Sequence, residues 1–240
     1  MKAVTFIAIS LLSGAIAGTI LALINQAAVE PFIEQAIQLE VRAAEAEGEI
    51  IDPVELRAYR DWQLGGSVAT GAIMGLSYGA LFGIVYAYAR KGLPGKTEVA
   101  KAMVLAGMMW FVLYMVVAVK YPANPPAVGD PVTIYLRQTL YIAMIAISGL
   151  AAVGSALVYR KMGAKSQRKA VAIAVYAGIT IVAFFALPAN PDAVTAPENL
   201  VNSFRIASAA TMTVFWVLLG GILGAMWGRT KPHETAKIAL

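Results

Sequence analysis

Residues 63–89 read QLGGSVATGAIMGLSYGALFGIVYAYA, a stretch with no charged side chain. A bilayer core of about 30 Å requires about 20 apolar residues of helix, because no water is present there to satisfy an open backbone. This stretch is longer than that. Within it Ser67, Gly71, Gly75, Gly79, Gly83 and Ala87 recur every four residues and line one face of the predicted helix. Helices in lipid associate by close backbone approach rather than by hydrophobic force, so such a face reads as a packing surface with no chemical task. Matching small-residue grooves occur at Gly14 and Gly18 and at Gly220, Gly224 and Gly228.

Five further charge-free windows flank this one, at 3–29, 102–119, 138–159, 170–191 and 206–228, the third being the shortest. They predict an all-α polytopic membrane protein with six transmembrane helices at about 3–28, 63–89, 102–119, 138–159, 170–187 and 206–228, in a single integral membrane domain over residues 1–240. The composition agrees. Hydrophobic residues make up 59% and charged residues 14%, against roughly 45–50% and about 25% in soluble domains. Lys2 followed by an apolar run, with Ala15-Ile16-Ala17, resembles a signal peptide. The run continues to Ile24, longer than a signal core needs, so an uncleaved helix is expected.

The absence of cysteine excludes a disulfide framework, thiolate metal sites and cysteine nucleophiles. A net charge of +5 does not point to nucleic acid, because the Lys and Arg residues flank hydrophobic segments instead of forming a basic cluster interleaved with aromatics. The expected partner is the lipid bilayer.

The basic residues also set the topology. Lys2, the 90–101 loop, the 160–169 loop and the 229–240 tail hold 13 of the 19 Lys and Arg and only two acids, Glu98 and Glu234. The opposite face holds the other six basic residues and twelve acids. Both termini are therefore expected in the cytoplasm, with the protein integral to the cytoplasmic membrane.

An internal repeat is visible in the loops. Residues 122–128, PANPPAV, recur as residues 188–194, PANPDAV, with six of seven positions identical. Each copy follows an apolar helix, precedes a proline (Pro131, Pro197) and leads to a lone arginine, Arg137 or Arg205. Segments three and four then form one hairpin and segments five and six another, related as parallel repeats. A fainter third copy covers segments one and two, carried by the aromatic, glycine and basic residues that close each even-numbered helix.

Residues 30–61 form a long external connection with nine acids and three arginines. A polar helix is expected over 34–49, followed by the cap Asp52-Pro53 and a second short helix toward Trp62. Clustered carboxylates here, beginning with Glu30, either concentrate cations at the membrane face or form a solvated surface that enforces topology. In the proline loops Asn124, Asn190, Asp130 and Asp192 supply oxygen acceptors, and Arg137 and Arg205 stand at the entrances of the helices that follow. These residues are transport-path candidates. The alternative is a structural pairing of each arginine with a loop carbonyl or carboxylate.

Catalytic motifs are absent from the pattern. Residues 92–97, GLPGKT, end like a phosphate loop, but the required first glycine falls on Arg90. His233 is the single histidine, so a histidine-rich zinc or haem site is out of reach. Met108, Met109 and Met115 cluster in the third helix and could bind a soft ion, but core filler is the simpler reading. No enzyme activity and no cofactor are expected, and no metal ligand can be named.

The opening helix running into Val29-Glu30-Pro31-Phe32, the acidic external segment, the start at Trp62-Gln63-Leu64-Gly65, and the paired stretches 120–126 and 187–191 together resemble the CbtA family of cobalt transporter components. The likeness covers nearly the whole chain and implies a role in cobalt uptake. Many members carry a histidine-rich stretch in the first external loop. Residues 43–61 hold Glu and Asp there but no His, and carboxylates favour harder cations. The family's usual companion, a small protein bearing imidazoles, would supply what is missing.

The sequence therefore reads as a permease or substrate-binding transport subunit for a small cation, with cobalt the ion the resemblance implies. Capture is expected near Glu30, passage between the repeats beside Asn124 and Asn190, and release at the basic cytoplasmic face. Basic loops would repel a free cation, which favours a carrier cycle or an energising partner complex. The rival reading is a non-transporting membrane anchor or assembly component of a larger complex, whose glycine faces are its contact surfaces.

Overall fold

The structure, a computed structural model, describes residues 2–126 and 128–234. Ala127 of the first proline loop and the end of the basic tail, Lys237 included, lie outside the described residues. The described chain is helical, with no strands: α1 (Ala3–Ala28), α2 (Glu30–Ala46), α3 (Pro53–Ala89), α4 (Glu98–Trp110), a π-helical turn (Phe111–Met115), α5 (Val116–Lys120), a 3-10 turn (Pro131–Thr133), α6 (Ile134–Lys161), α7 (Arg168–Ala186) and α8 (Glu198–Thr230). Six stretches are long and apolar enough to cross a membrane: Ala3–Ala28, Pro53–Ala89, Glu98–Lys120, Pro131–Lys161, Arg168–Ala186 and Glu198–Thr230. Each contains most of one charge-free window.

The differences from expectation lie at helix ends. α3 has 37 residues, about 55 Å at 1.5 Å per residue, far more than a bilayer core needs. Asp52 caps it, its side chain accepting from the Val54 amide at 2.8 Å. The short helix expected toward Trp62 is instead the first turns of α3, because no proline follows Pro53 to break it. The polar helix begins earlier than expected, at Glu30, with Pro31 in its first turn. α7 stops at Ala186, since Leu187 is extended ahead of Pro188.

The chain divides into two compact units, Met1–Met108 with Glu198–Leu240, and Met109–Pro197. This division cuts across the two hairpins read from the repeat, placing α8 with α1 and α3.

In the first unit, α1 and α3 meet backbone to backbone. A Cβ on Gly14 would fall on the Gly75 carbonyl and within 2.7 Å of Gly79 Cα, and one on Gly18 would fall on the Gly71 carbonyl and within 2.8 Å of Gly75 Cα. Ser10 fills the gap left by Gly83. α8 uses Gly220 and Gly224 in the same way, against Ala106 Cβ at 2.7 Å and Val99 Cα at 2.6 Å. Around these seams Phe82, Tyr86, Phe215, Trp216 and Trp227 are fully buried. Tyr78 meets Trp216 edge to face at a ring separation of 5.6 Å, the geometry aromatic quadrupoles prefer.

One end of this unit carries a polar network. The Tyr86 hydroxyl donates to Glu98 Oε2 at 2.7 Å, and Arg90 forks onto both Glu98 oxygens at 2.7 and 3.1 Å. That charge-assisted bond raises the Arg90 pKa. Trp227 Nε1 donates to His233 Nδ1 at 3.1 Å. An indole is only a donor, so a neutral His233 carries its proton on Nε2, where Arg90 Nη2 stands 3.4 Å away. Burial, and then the Arg90 charge, lower the His233 pKa.

In the second unit α6 packs on α7 about a core of Val117, Tyr121, Leu140, Met144 and Ala183. The chain turns between them at Gly163, whose φ is +58°. The π-helical turn adds a residue to one turn and misaligns the local backbone ladder. Ser148, fully buried, donates to the Val112 carbonyl there at 2.6 Å and lies 2.8 Å from the Tyr176 hydroxyl.

Two outcomes test this packing. Gly75→Leu should lower thermal stability in detergent by about 2 kcal/mol or more, the scale of overpacking, whereas Gly65→Ala, with open space around it, should not lower it. Equal melting of the two variants would refute the backbone seam. Because the folded state disfavours protonated His233, its contribution is complete above the unfolded value of about 6.5 and is lost as pH falls through the lower folded pKa. Melting of the wild type should therefore decline over that acidic range more than melting of His233→Gln.

Candidate functional site

The Glu30 end of the first unit forms a groove. α1 passes into α2 through Val29 alone, whose amide still bonds the Asn25 carbonyl at 2.8 Å. Pro31 needs no amide partner in the first turn of α2. The two helices are therefore joined without a loop, and Glu30 is fixed just beyond the end of α1. The protruding turns of α3 face it. Gln26 of α1 donates to the Leu64 carbonyl at 2.9 Å and to Ser67 Oγ at 3.3 Å, tying α1 to α3 within the lining of the groove.

The groove has a volume of about 530 Å³, and its polar lining is Gln26, Glu30, Glu34, Arg57, Arg60 and Asp61. Arg60 is its central cation. It is ion-paired to Glu30, hydrogen-bonded to Gln63, and its Nε lies 3.8 Å from Glu34 Oε2. Both partners of the Glu30 pair are mostly shielded, with side-chain exposures of 15% and 23%. Water therefore screens this pair less than a surface pair. Arg57 and Asp61 make no ion pair among the described residues.

In the second unit Arg137, at the start of α6, links the two proline loops, through an ion pair to one and hydrogen bonds to the other. Asp192, 6% exposed, lies 3.0 Å from Arg137 Nε. Thr133 Oγ1 donates to it at 2.7 Å and the Asp130 amide at 3.2 Å. Arg137 also donates from Nη2 to the Asp130 carbonyl at 3.2 Å and from Nη1 to the Val128 carbonyl at 3.4 Å. Gly129 is obligatory here twice over. Its φ of +105° suits only glycine, and a Cβ would sit 2.5 Å from Arg137 Nη1 and 2.6 Å from Asp192 Oδ2. Asn190 Oδ1 accepts from the Asp192 amide at 3.1 Å, an Asx turn that aims the carboxylate. The Tyr121 hydroxyl closes the loops from below, donating to the Pro188 carbonyl at 2.6 Å.

Of the transport-path candidates, Asp130, Arg137, Asn190 and Asp192 are thus brought into one cluster. Glu30 lies in the groove of the first unit. Asn124 remains in the first proline loop, half-buried, and Arg205 stands near the start of α8, which belongs to the first unit. Asp130 also caps the 3-10 turn, its Oδ1 accepting from the Val132 amide at 2.8 Å. Arg137 pairs with both a carboxylate and loop carbonyls.

Several contributors carry no mark in the sequence pattern that singles them out: Gln26, Thr133, Ser148 and Tyr176. Arg60 has only a weak signal, as one of three arginines among the nine acids of residues 30–61. Among the described residues no group of three or more His, Cys, Asp or Glu side chains is placed to hold a metal ion.

No curated protein and no solved structure matches the chain. The model of one family does, over residues 3–228, and its description is probable cobalt transporter subunit (CbtA). The match spans nearly the whole chain, and the chain belongs to the CbtA family, as an integral membrane protein of that transporter-subunit family.

Proposed function

We propose that the protein is a permease or substrate-binding transport subunit for a small cation, cobalt being the ion the family description names. Both termini lie in the cytoplasm, and the Glu30 groove opens at the opposite face. The observation that carries this reading is the shielded Arg60–Glu30 pair in the lining of a 530 Å³ groove. Carboxylates that are held by a guanidinium can exchange that partner for an arriving cation, so the pair is a displaceable plug. Passage continues beside the Asn124 and Asn190 loops, with the Asp130, Arg137 and Asp192 cluster and Arg205 along the route, and release occurs at the basic face. The repeated proline loops are the remnant of a duplicated hairpin. A small partner protein or an energising complex drives the cycle, because the basic release face repels a free cation.

A second reading has one observation in its favour. The six charge-free windows contain no intramembrane carboxylate to relay protons, as suits a membrane anchor or assembly component.

Cobalt uptake by proteoliposomes holding the protein, alone and with a candidate partner, separates these readings. Glu30→Gln should reduce uptake roughly tenfold, the loss expected from a charge-assisted contact of about 1.5 kcal/mol. No uptake in either preparation, together with stable co-purification in a larger membrane complex, would establish the anchor instead. Asn124→Ala with Asn190→Ala should also slow uptake, and an unchanged rate would remove the proline loops from the path.

A further inference from the structure

Resting on the capture reading above, we infer that the Glu30 groove receives its divalent cation as a small carboxylate-bearing chelate, not as the bare or hydrated ion. Three observations converge on this. The first concerns ligands. A bare divalent cation needs several oxygen or nitrogen donors converging on one point, and among the described residues no three His, Cys, Asp or Glu side chains do so. In the groove itself Glu30 and Glu34 share the Arg60 guanidinium, Glu34 at 3.8 Å, so exchange of that partner frees two carboxylates, short of a full donor set for a bare ion.

The second observation is size. An ion with six waters occupies roughly 180 Å³, at about 30 Å³ per water. The groove has about 530 Å³, within the range of roughly 300–1,000 Å³ typical of sites for small organic molecules.

The third is charge. The lining mixes three carboxylates, Glu30, Glu34 and Asp61, with two guanidiniums, Arg57 and Arg60. Guanidiniums repel a cation, but their fork matches a carboxylate. Arg57 and Arg60 are three residues apart on α3 and so lie on one face of the helix. Arg57 is without an ion-pair partner among the described residues. A metal chelate has both signs: a cationic centre for Asp61 and Glu34, and an outward carboxylate for Arg57. A bare ion would use only half of this lining.

The test uses the purified full chain in detergent with three titrants followed by calorimetry: Co²⁺ alone, citrate alone, and the premixed Co²⁺–citrate complex. The premixed complex should bind at least about tenfold more tightly than either component, a difference calorimetry resolves. Arg57→Gln should abolish that advantage with an unchanged melting temperature, while Arg57→Lys keeps part of it. Co²⁺ alone binding as tightly as the complex, with Arg57→Gln silent and Glu30→Gln abolishing it, overturns the chelate and leaves the groove as the capture site of a bare ion. Citrate alone binding as tightly as the complex overturns it in favour of an anion site. Binding that survives Glu30→Gln and Arg57→Gln together, or no binding of any titrant, overturns the chelate and the capture reading together.

Discussion

Contact between the backbones of α1 and α3 sets the position of everything else in the first unit. With Gly14 and Gly18 seated against Gly71, Gly75 and Gly79, the two helices have no room to slide or rotate, since any larger side chain would collide with a carbonyl. Lipid supplies no hydrophobic force between helices, so such contact, summed over many dispersion pairs, is the available attraction. The seam also fixes register. Because α1 ends at Ala28 and α3 begins at Pro53, locking their glycines together leaves the first turns of α3 projecting beside α2. Arg60 and Glu30 meet as a consequence, although 30 residues separate them in the chain.

The second unit reaches polar order by a different route. Its helices carry few close glycine contacts, and its loops are organised by ionic and hydrogen bonds. Asp192 is nearly buried, a state that is costly unless the carboxylate is paired and its lone pairs are used. Arg137, Thr133 and the Asp130 amide meet that demand. Removing one of them would leave the carboxylate under-solvated, so the cluster holds together as a set. The same economy appears inside the helices, where Ser148 covers a carbonyl of the π-helical turn.

Much of this architecture can be read from the chain. Charge-free windows mark the six helices because lipid imposes an all-or-none requirement on backbone polar groups, and the four-residue glycine period marks the seam because only a helix places those positions on one face. Helix ends are legible where a local signal exists, as at Asp52-Pro53 and at Leu187-Pro188. What cannot be read is partner choice across long separations. Nothing in residues 128–137 announces that Gly129 must clear space for Asp192, and nothing near Val112 announces a π-helical turn covered by Ser148. The division into compact units is likewise hidden, because the repeat records local likeness between loops while packing follows surface shape. The likeness of the two proline loops persists in sequence, yet Arg137 belongs to one unit and Arg205 to the other.

If the protein is the permease proposed above, the charge pattern at the two ends of that proposed route bears on what would cross. On the proposed orientation, the entry groove contains guanidiniums among its carboxylates, and the exit face is dominated by lysine and arginine. A doubly charged ion moving alone would leave the entry guanidiniums unmatched and would meet like charge at the exit, with no carboxylate in the charge-free windows to compensate it. An ion whose charge is already balanced by bound carboxylates meets attraction at the entry arginines and much weaker repulsion at the exit. The cost of desolvation falls as well, because the ion's inner oxygens travel with it and need not be replaced by protein ligands. A carrier built this way needs few ligating side chains of its own, which reconciles membership of a cobalt transporter family with a first external connection that has no histidine.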